Sequence, residues 1–116
     1  MNFDKEKIKQ VIKADMDEST VQVDPGWTKR TILLETLPYS FDGGGSAIIE
    51  AARQVKASGE TWDSVLENET VNILLECAKE VIDADYPSFW AQAKPVVEPW
   101  IITMMEIFKE GYVDRA

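Results

Sequence analysis

The chain has 116 residues, of which 45% are hydrophobic and 28% charged, and its formal net charge is −9. These values are typical of one globular domain with its own core, so we expect residues 1–116 to form a single domain. No apolar run approaches the ~20 residues of a transmembrane helix, and the first residues mix both charge signs. We therefore expect neither a membrane span nor a signal peptide. The single cysteine, Cys77, allows no internal disulfide, which favours a reducing compartment and a cytoplasmic location.

The negative charge is concentrated in residues 57–93. This segment holds eight acidic residues and one base, Lys79, for a net charge of −7. A field of this sign repels nucleic acid and anionic membranes and attracts basic proteins. We therefore expect no direct nucleic-acid binding and no membrane partner, and we expect a protein partner with a basic surface.

The amino-terminal segment has the spacing of an amphipathic helix. From Phe3 to about Asp15, the apolar residues Ile8, Val11 and Ile12 fall on one face. Asn2 precedes this segment and is the expected capping residue.

Residues 20–36 are compatible with two structures. Asp24 followed by Pro25 is a good helix start, and that helix would run to Leu37. Val21 and Val23 alternate with polar neighbours, and residues 24–26 also suit a turn, which is typical of a β-hairpin. The helix makes the fold all-α, whereas a hairpin at 20–36 makes it α+β.

The periodicity is clearer after the glycine triplet at 43–45. One helix is predicted to begin at Ser46 and to stop at Gly59, and a short turn follows from Thr61. A long helix is predicted from Asn68 to Asp83. Its apolar residues recur at a spacing of three and four: Val71, Leu74, Leu75, Ala78, Val81 and Ile82.

Three prolines govern the prediction for the remaining chain. Pro87 is expected to begin a short helix, and Pro95 and Pro99 are expected to impose an extended or turn connection. Pro99 also suits the first turn of a last helix that ends at Gly111. Taken together, the pattern predicts an all-α fold, a single compact bundle of five or six helices.

The last predicted helix is apolar over more than half of its circumference. Its apolar residues are Trp100, Ile101, Ile102, Met104, Met105, Ile107 and Phe108. A helix of this kind is either central to a domain or shared with another subunit. It therefore makes a homo-oligomer one of the expected partner arrangements.

The sequence offers few residues for catalysis or metal binding. It contains no histidine, which excludes the usual Ser-His and Cys-His nucleophile pairs, and one cysteine cannot form the usual zinc sites. Asp15-x-Asp17 and Asp83-x-Asp85 resemble the opening of a calcium loop, but the glycine and glutamate expected further on are missing. We expect no catalytic residue, no metal and no cofactor.

One stripe on the Asn68–Asp83 helix is the candidate partner-binding site. At 100° per residue, its acidic members fall together opposite the apolar face, with one apolar residue at their edge. The predicted site residues are Glu69, Ile73, Glu76, Glu80 and Asp83. Since the acids oppose the apolar face, we expect reversal of Glu76 and Glu80 to lysine to leave the fold intact.

These observations favour a non-enzymatic acidic protein-binding module, such as an inhibitor or immunity-type protein that acts on a basic surface of its partner. The alternative is a structural or assembly protein that forms a homo-oligomer through its C-terminal apolar helix. A third hypothesis is an enzyme that uses carboxylates with a divalent metal. Salt dependence separates the first hypothesis from the others, because charge-steered binding weakens as salt is added.

Overall fold

The computed structural model describes residues 2–17, 25–28, 31, 34–35, 41, 46–61 and 67–108. Within this part of the chain there are four helices and no strand: α1 (Lys5–Asp17), α2 (Ser46–Ala57), α3 (Glu67–Asp85) and α4 (Trp90–Phe108). The predicted all-α fold is therefore confirmed for the described residues.

Helix α1 begins two residues later than predicted, because Asp4 rather than Asn2 caps it. The Asp4 Oδ1 atom accepts the backbone N–H of Lys7 at 3.2 Å, which satisfies one of the free donors of the first turn. The side-chain amide of Gln54, which lies in α2, holds the capping residue Asp4 in place. It accepts the Asp4 N–H at 2.7 Å and donates to the Asp4 carbonyl at 3.1 Å.

Helix α2 ends with the left-handed glycine that its sequence predicts. Gly59 has φ +80°, its N–H bonds to the carbonyl of Lys56, and the N–H of Glu60 bonds to the carbonyl of Val55. These are the two hydrogen bonds of a Schellman motif, which satisfies carbonyls that the end of a helix leaves free.

The contacts between helices fix their directions. Lys5 and Lys9 of α1 pair in ascending order with Glu76 and Glu80 of α3, so these two helices run parallel. Gln54 of α2 instead contacts the start of α1, and the earlier Glu50 reaches Lys7, so α2 runs antiparallel to α1. A four-residue connection then folds α4 back against α3.

Residues from all four helices form one hydrophobic core. Helix α3 is at its centre, packed against α1 on one side and α4 on another. Phe41 is fully buried in this core although it lies outside the four helices. Fully buried members include Ile8, Ile12, Ile48, Val55, Leu74, Ala78, Ile82, Val97 and Ile101.

The predicted break at Pro95 and Pro99 is wrong. Both prolines lie inside α4, which is continuous from Trp90 to Phe108, so the predicted short helix and last helix are one element. Pro95 cannot donate to the carbonyl of Ala91, and Pro99 cannot donate to that of Pro95. Both prolines and Ala91 are exposed, so water can reach the carbonyls that lack these bonds. The fixed φ of proline is itself compatible with a helix.

The predicted count of five or six helices is not found within the described residues. The merging of two predicted elements into α4 removes one, and the predicted turn after Thr61 lies outside the described residues. The segment 20–36 also falls largely outside them. Thr31, Leu34 and Glu35 are described and have helical backbone, which agrees with the helical alternative at those positions.

Candidate functional site

The predicted acidic stripe lies on α3, and its members have different surroundings. Glu69 is exposed at the start of the helix, while Glu76, Glu80 and Asp83 keep roughly half of their side-chain surface exposed. Ile73 is half-buried and packs against the hydrophobic core. Its place beside the acids is therefore explained by packing within this chain.

Two acids of the stripe pair with α1. The Lys5 Nζ atom donates to Glu76 Oε1 at 3.0 Å. One turn further on, Lys9 lies 3.4 Å from Glu80 and 2.6 Å from Glu6 of its own helix. The i, i+4 spacing recurs on both helices, so their parallel packing places each lysine beside a carboxylate.

These contacts shift the titration of both lysines. The hydrogen bond to Glu76 raises the pKa of Lys5. The pKa of Lys9 is raised first by its hydrogen bond to Glu6 and then by the one to Glu80. Both ammonium groups therefore remain charged throughout the neutral pH range, and the α1 lysines already neutralise part of the stripe.

The other two acids of the stripe do not reach α1. Asp83 pairs within α3, with Lys79 Nζ at 2.9 Å. Glu69 has no ion pair within the described part of the chain. The structure therefore does not bring the four acids together as one uncompensated surface.

A groove of about 270 Å³ lies between α1 and α3, beside this ladder of ion pairs. Val81 and Ala84 give it apolar lining, while Lys9, Lys13 and Glu80 bring both charge signs. Glu6 and Asp85 line it as well, and Lys9 pairs with Glu6 and Glu80, so the charged lining mixes both signs.

A buried carboxylate that the sequence analysis did not single out lies between α1 and α2. Glu50 is only 2% exposed, and its oxygens lie 3.7 Å from Lys7 Nζ and 3.6 Å from Arg53 Nη1. Gln54 Nε2 also donates to it at 3.3 Å. With these partners Glu50 links two helices.

The single thiol is also in the core. Cys77 is fully buried, and its Sγ donates weakly to the Lys5 carbonyl at 3.8 Å. Burial raises its pKa from 9.0 to about 11, so the reactive thiolate is scarce at neutral pH. Within the described residues no group of three His, Cys, Asp or Glu side chains could hold a metal ion.

Helix α4 carries a different kind of surface. Its inner side is buried through Ala93, Val97 and Ile101, yet Trp100 keeps 41% of its surface exposed. We define the α4 surface as Val96, Pro99, Trp100 and Thr103, which share one side of the helix at positions i, i+3, i+4 and i+7. All four residues are uncharged.

A hollow accompanies the exposed indole on this surface. It has a volume of about 280 Å³, and the described residues that line it are Pro99, Trp100 and Thr103. Ile102 is equally exposed, at 40%, but it lies about 160° around the helix from Trp100 and outside this surface. None of the described helices, α4 included, has the length and apolar character needed to cross a membrane.

The sequence analysis did not predict that Trp100 is exposed. It divided α4 at the prolines, so it did not place Ala93, Val97 and Ile101 on one face of a continuous helix. Continued at 3.6 residues per turn from Trp90, the pattern places the buried face on these residues and Trp100 at its edge.

Comparison with protein-family models, curated proteins and solved structures finds no match for this chain. The described residues form an α-helical structure with an uncharged, tryptophan-bearing surface and an acidic stripe in which Glu76, Glu80 and Asp83 have ion-pair partners. A function must therefore be argued from these surfaces.

Proposed function

We propose that this protein is a non-enzymatic protein-binding module that contacts its partner through the α4 surface. The exposure of Trp100 supports this proposal most strongly, since the adjacent Val97 and Ile101 are fully buried. Tryptophan is enriched in the centres of protein interfaces and among residues that dominate binding energy. An indole left 41% exposed has apolar area that a partner can bury.

The composition of the α4 surface adds support. Interface centres are depleted of charged residues, and Val96, Pro99, Trp100 and Thr103 are all uncharged in a chain with a net charge of −9. The nearby charges Lys94 and Glu98 pair with each other at 3.8 Å on another side of the helix. A partner with an apolar contact face therefore fits this surface.

The acidic version of the module has weaker support. A basic partner at Glu69, Ile73, Glu76, Glu80 and Asp83 would have to compete with Lys5 and Lys9 for two of the four carboxylates. The hypothesis that this chain inhibits a partner by binding the partner's basic surface through the stripe stays a prediction. Such binding would weaken steeply as salt is added, whereas contact through the uncharged α4 surface would not.

Affinity capture with three forms of the chain tests the proposal. Wild type, Trp100→Glu and Ile102→Glu would be immobilised and exposed to lysate of the source cell and to labelled wild-type chain. We expect one or more proteins to be retained by wild type and Ile102→Glu and lost by Trp100→Glu. Ile102 is the matched control because it is equally exposed on the same helix. Equal retention by both variants would contradict the proposal.

A further inference from the structure

We draw no further inference here: the strongest candidate, the groove of about 270 Å³ between α1 and α3, has a charged lining that mixes both signs, and nothing in the structure shows what covers it.

Discussion

Ser88 has φ 72°, in the left-handed region that residues with a side chain rarely occupy. It lies in the connection between α3 and α4, next to Pro87, whose ring restricts the preceding Tyr86. The Cβ atom of Ser88 makes this conformation costly, whereas glycine adopts it readily.

Ser88→Gly should therefore raise the free energy of unfolding by up to about 1 kcal/mol, measured by chemical denaturation. The matched control is Gly59→Ala, since Gly59 also has positive φ and no atom lies within 4 Å of an added Cβ. In this control the free energy of unfolding should fall by about 1 kcal/mol, because alanine is strained at positive φ. Stabilisation by Gly59→Ala, or destabilisation by Ser88→Gly, would contradict the assigned turn conformations.

Cys77 makes the stability depend on pH in the alkaline range. Burial raises the thiol pKa from 9.0 to about 11, so the folded state retains a proton that the unfolded state loses above pH 9. The raised pKa contributes stability that is fully present below pH 9 and is lost as pH rises through about 11. By pH 11 the loss should reach about 2 kcal/mol.

Denaturation of wild type and Cys77→Ala between pH 8 and pH 11 would measure this loss. The raised pKa values of Lys5 and Lys9 act in the same direction, but only above their ordinary 10.5. Cys77→Ala should lower stability at pH 8 through lost packing and should remove the decline that begins near pH 9. An unchanged slope in this variant would show that the thiol is not the group responsible.

At the scale of the elements, the lysine–glutamate ladder between α1 and α3 alters one expectation from the sequence. Reversal of Glu76 and Glu80 places two lysines beside Lys5 and Lys9, so the double variant should be less stable than wild type. The effect should be small, because exposed pairs are screened, and it should decrease as salt is added.

Thermal melting at low and high salt would measure the effect of this reversal. Glu69→Lys is the matched control on the same helix, where no described ion pair is lost, and its melting temperature should stay close to that of wild type. Exchange of the charges in Lys5→Glu with Glu76→Lys should recover part of the loss. If reversal of both glutamates leaves stability unchanged at low salt, the ladder does not hold α1 on α3 in solution.

One exposed proline in helix α4 lowers the stability of the protein, and a substitution can remove this effect. Pro95 is exposed inside the helix and cannot donate to the Ala91 carbonyl. Pro95→Ala should restore this bond and raise the free energy of unfolding by about 1 to 3 kcal/mol, measured in urea. Glu106→Ala, at another exposed position of α4, should be close to neutral. Destabilisation by Pro95→Ala would mean that the proline ring packs in a way its exposure does not indicate.

The prediction from sequence was accurate where local and tertiary preferences agree. The spacing of Leu74, Ala78 and Ile82 identified the buried face of α3, and Gly59 marked the end of α2, because both signals come from neighbours in the chain. The continuity of α4 depends instead on packing of Val97 and Ile101 against α3, which outweighs the local effect of the prolines. Rules that consider only neighbours in the sequence cannot include the free energy of this packing.

The candidate site was likewise predictable only where the signal came from neighbours in the chain. Helical spacing correctly placed the acids of α3 on one side, but it could not reveal that Lys5 and Lys9, about 70 residues earlier in the chain, lie against Glu76 and Glu80. Likewise, the burial of Glu50 depends on α1 and is not visible in the pattern of α2. Which charges remain available to a partner is a property of the tertiary structure.

At the scale of the whole molecule, charge and apolar exposure are separated. Glu76 and Glu80 of α3 lie against α1, where lysines compensate them, while α4 packs on α3 elsewhere and has one uncharged side, formed by Val96, Pro99, Trp100 and Thr103. A net charge of −9 keeps separate molecules apart at long range. The uncharged α4 surface is where a close contact costs least in electrostatic free energy.

Amide chemical shifts of ¹⁵N-labelled protein, recorded with and without the proteins retained in the capture experiment, test most directly whether the contact surface is the one around Trp100. We predict that the shifts of Val96, Trp100, the Trp100 indole N–H and Thr103 change when these proteins are added. Amides near Glu69 and Glu80 should remain constant. Shift changes confined to the acidic side of α3, or no change at any amide, would contradict this account.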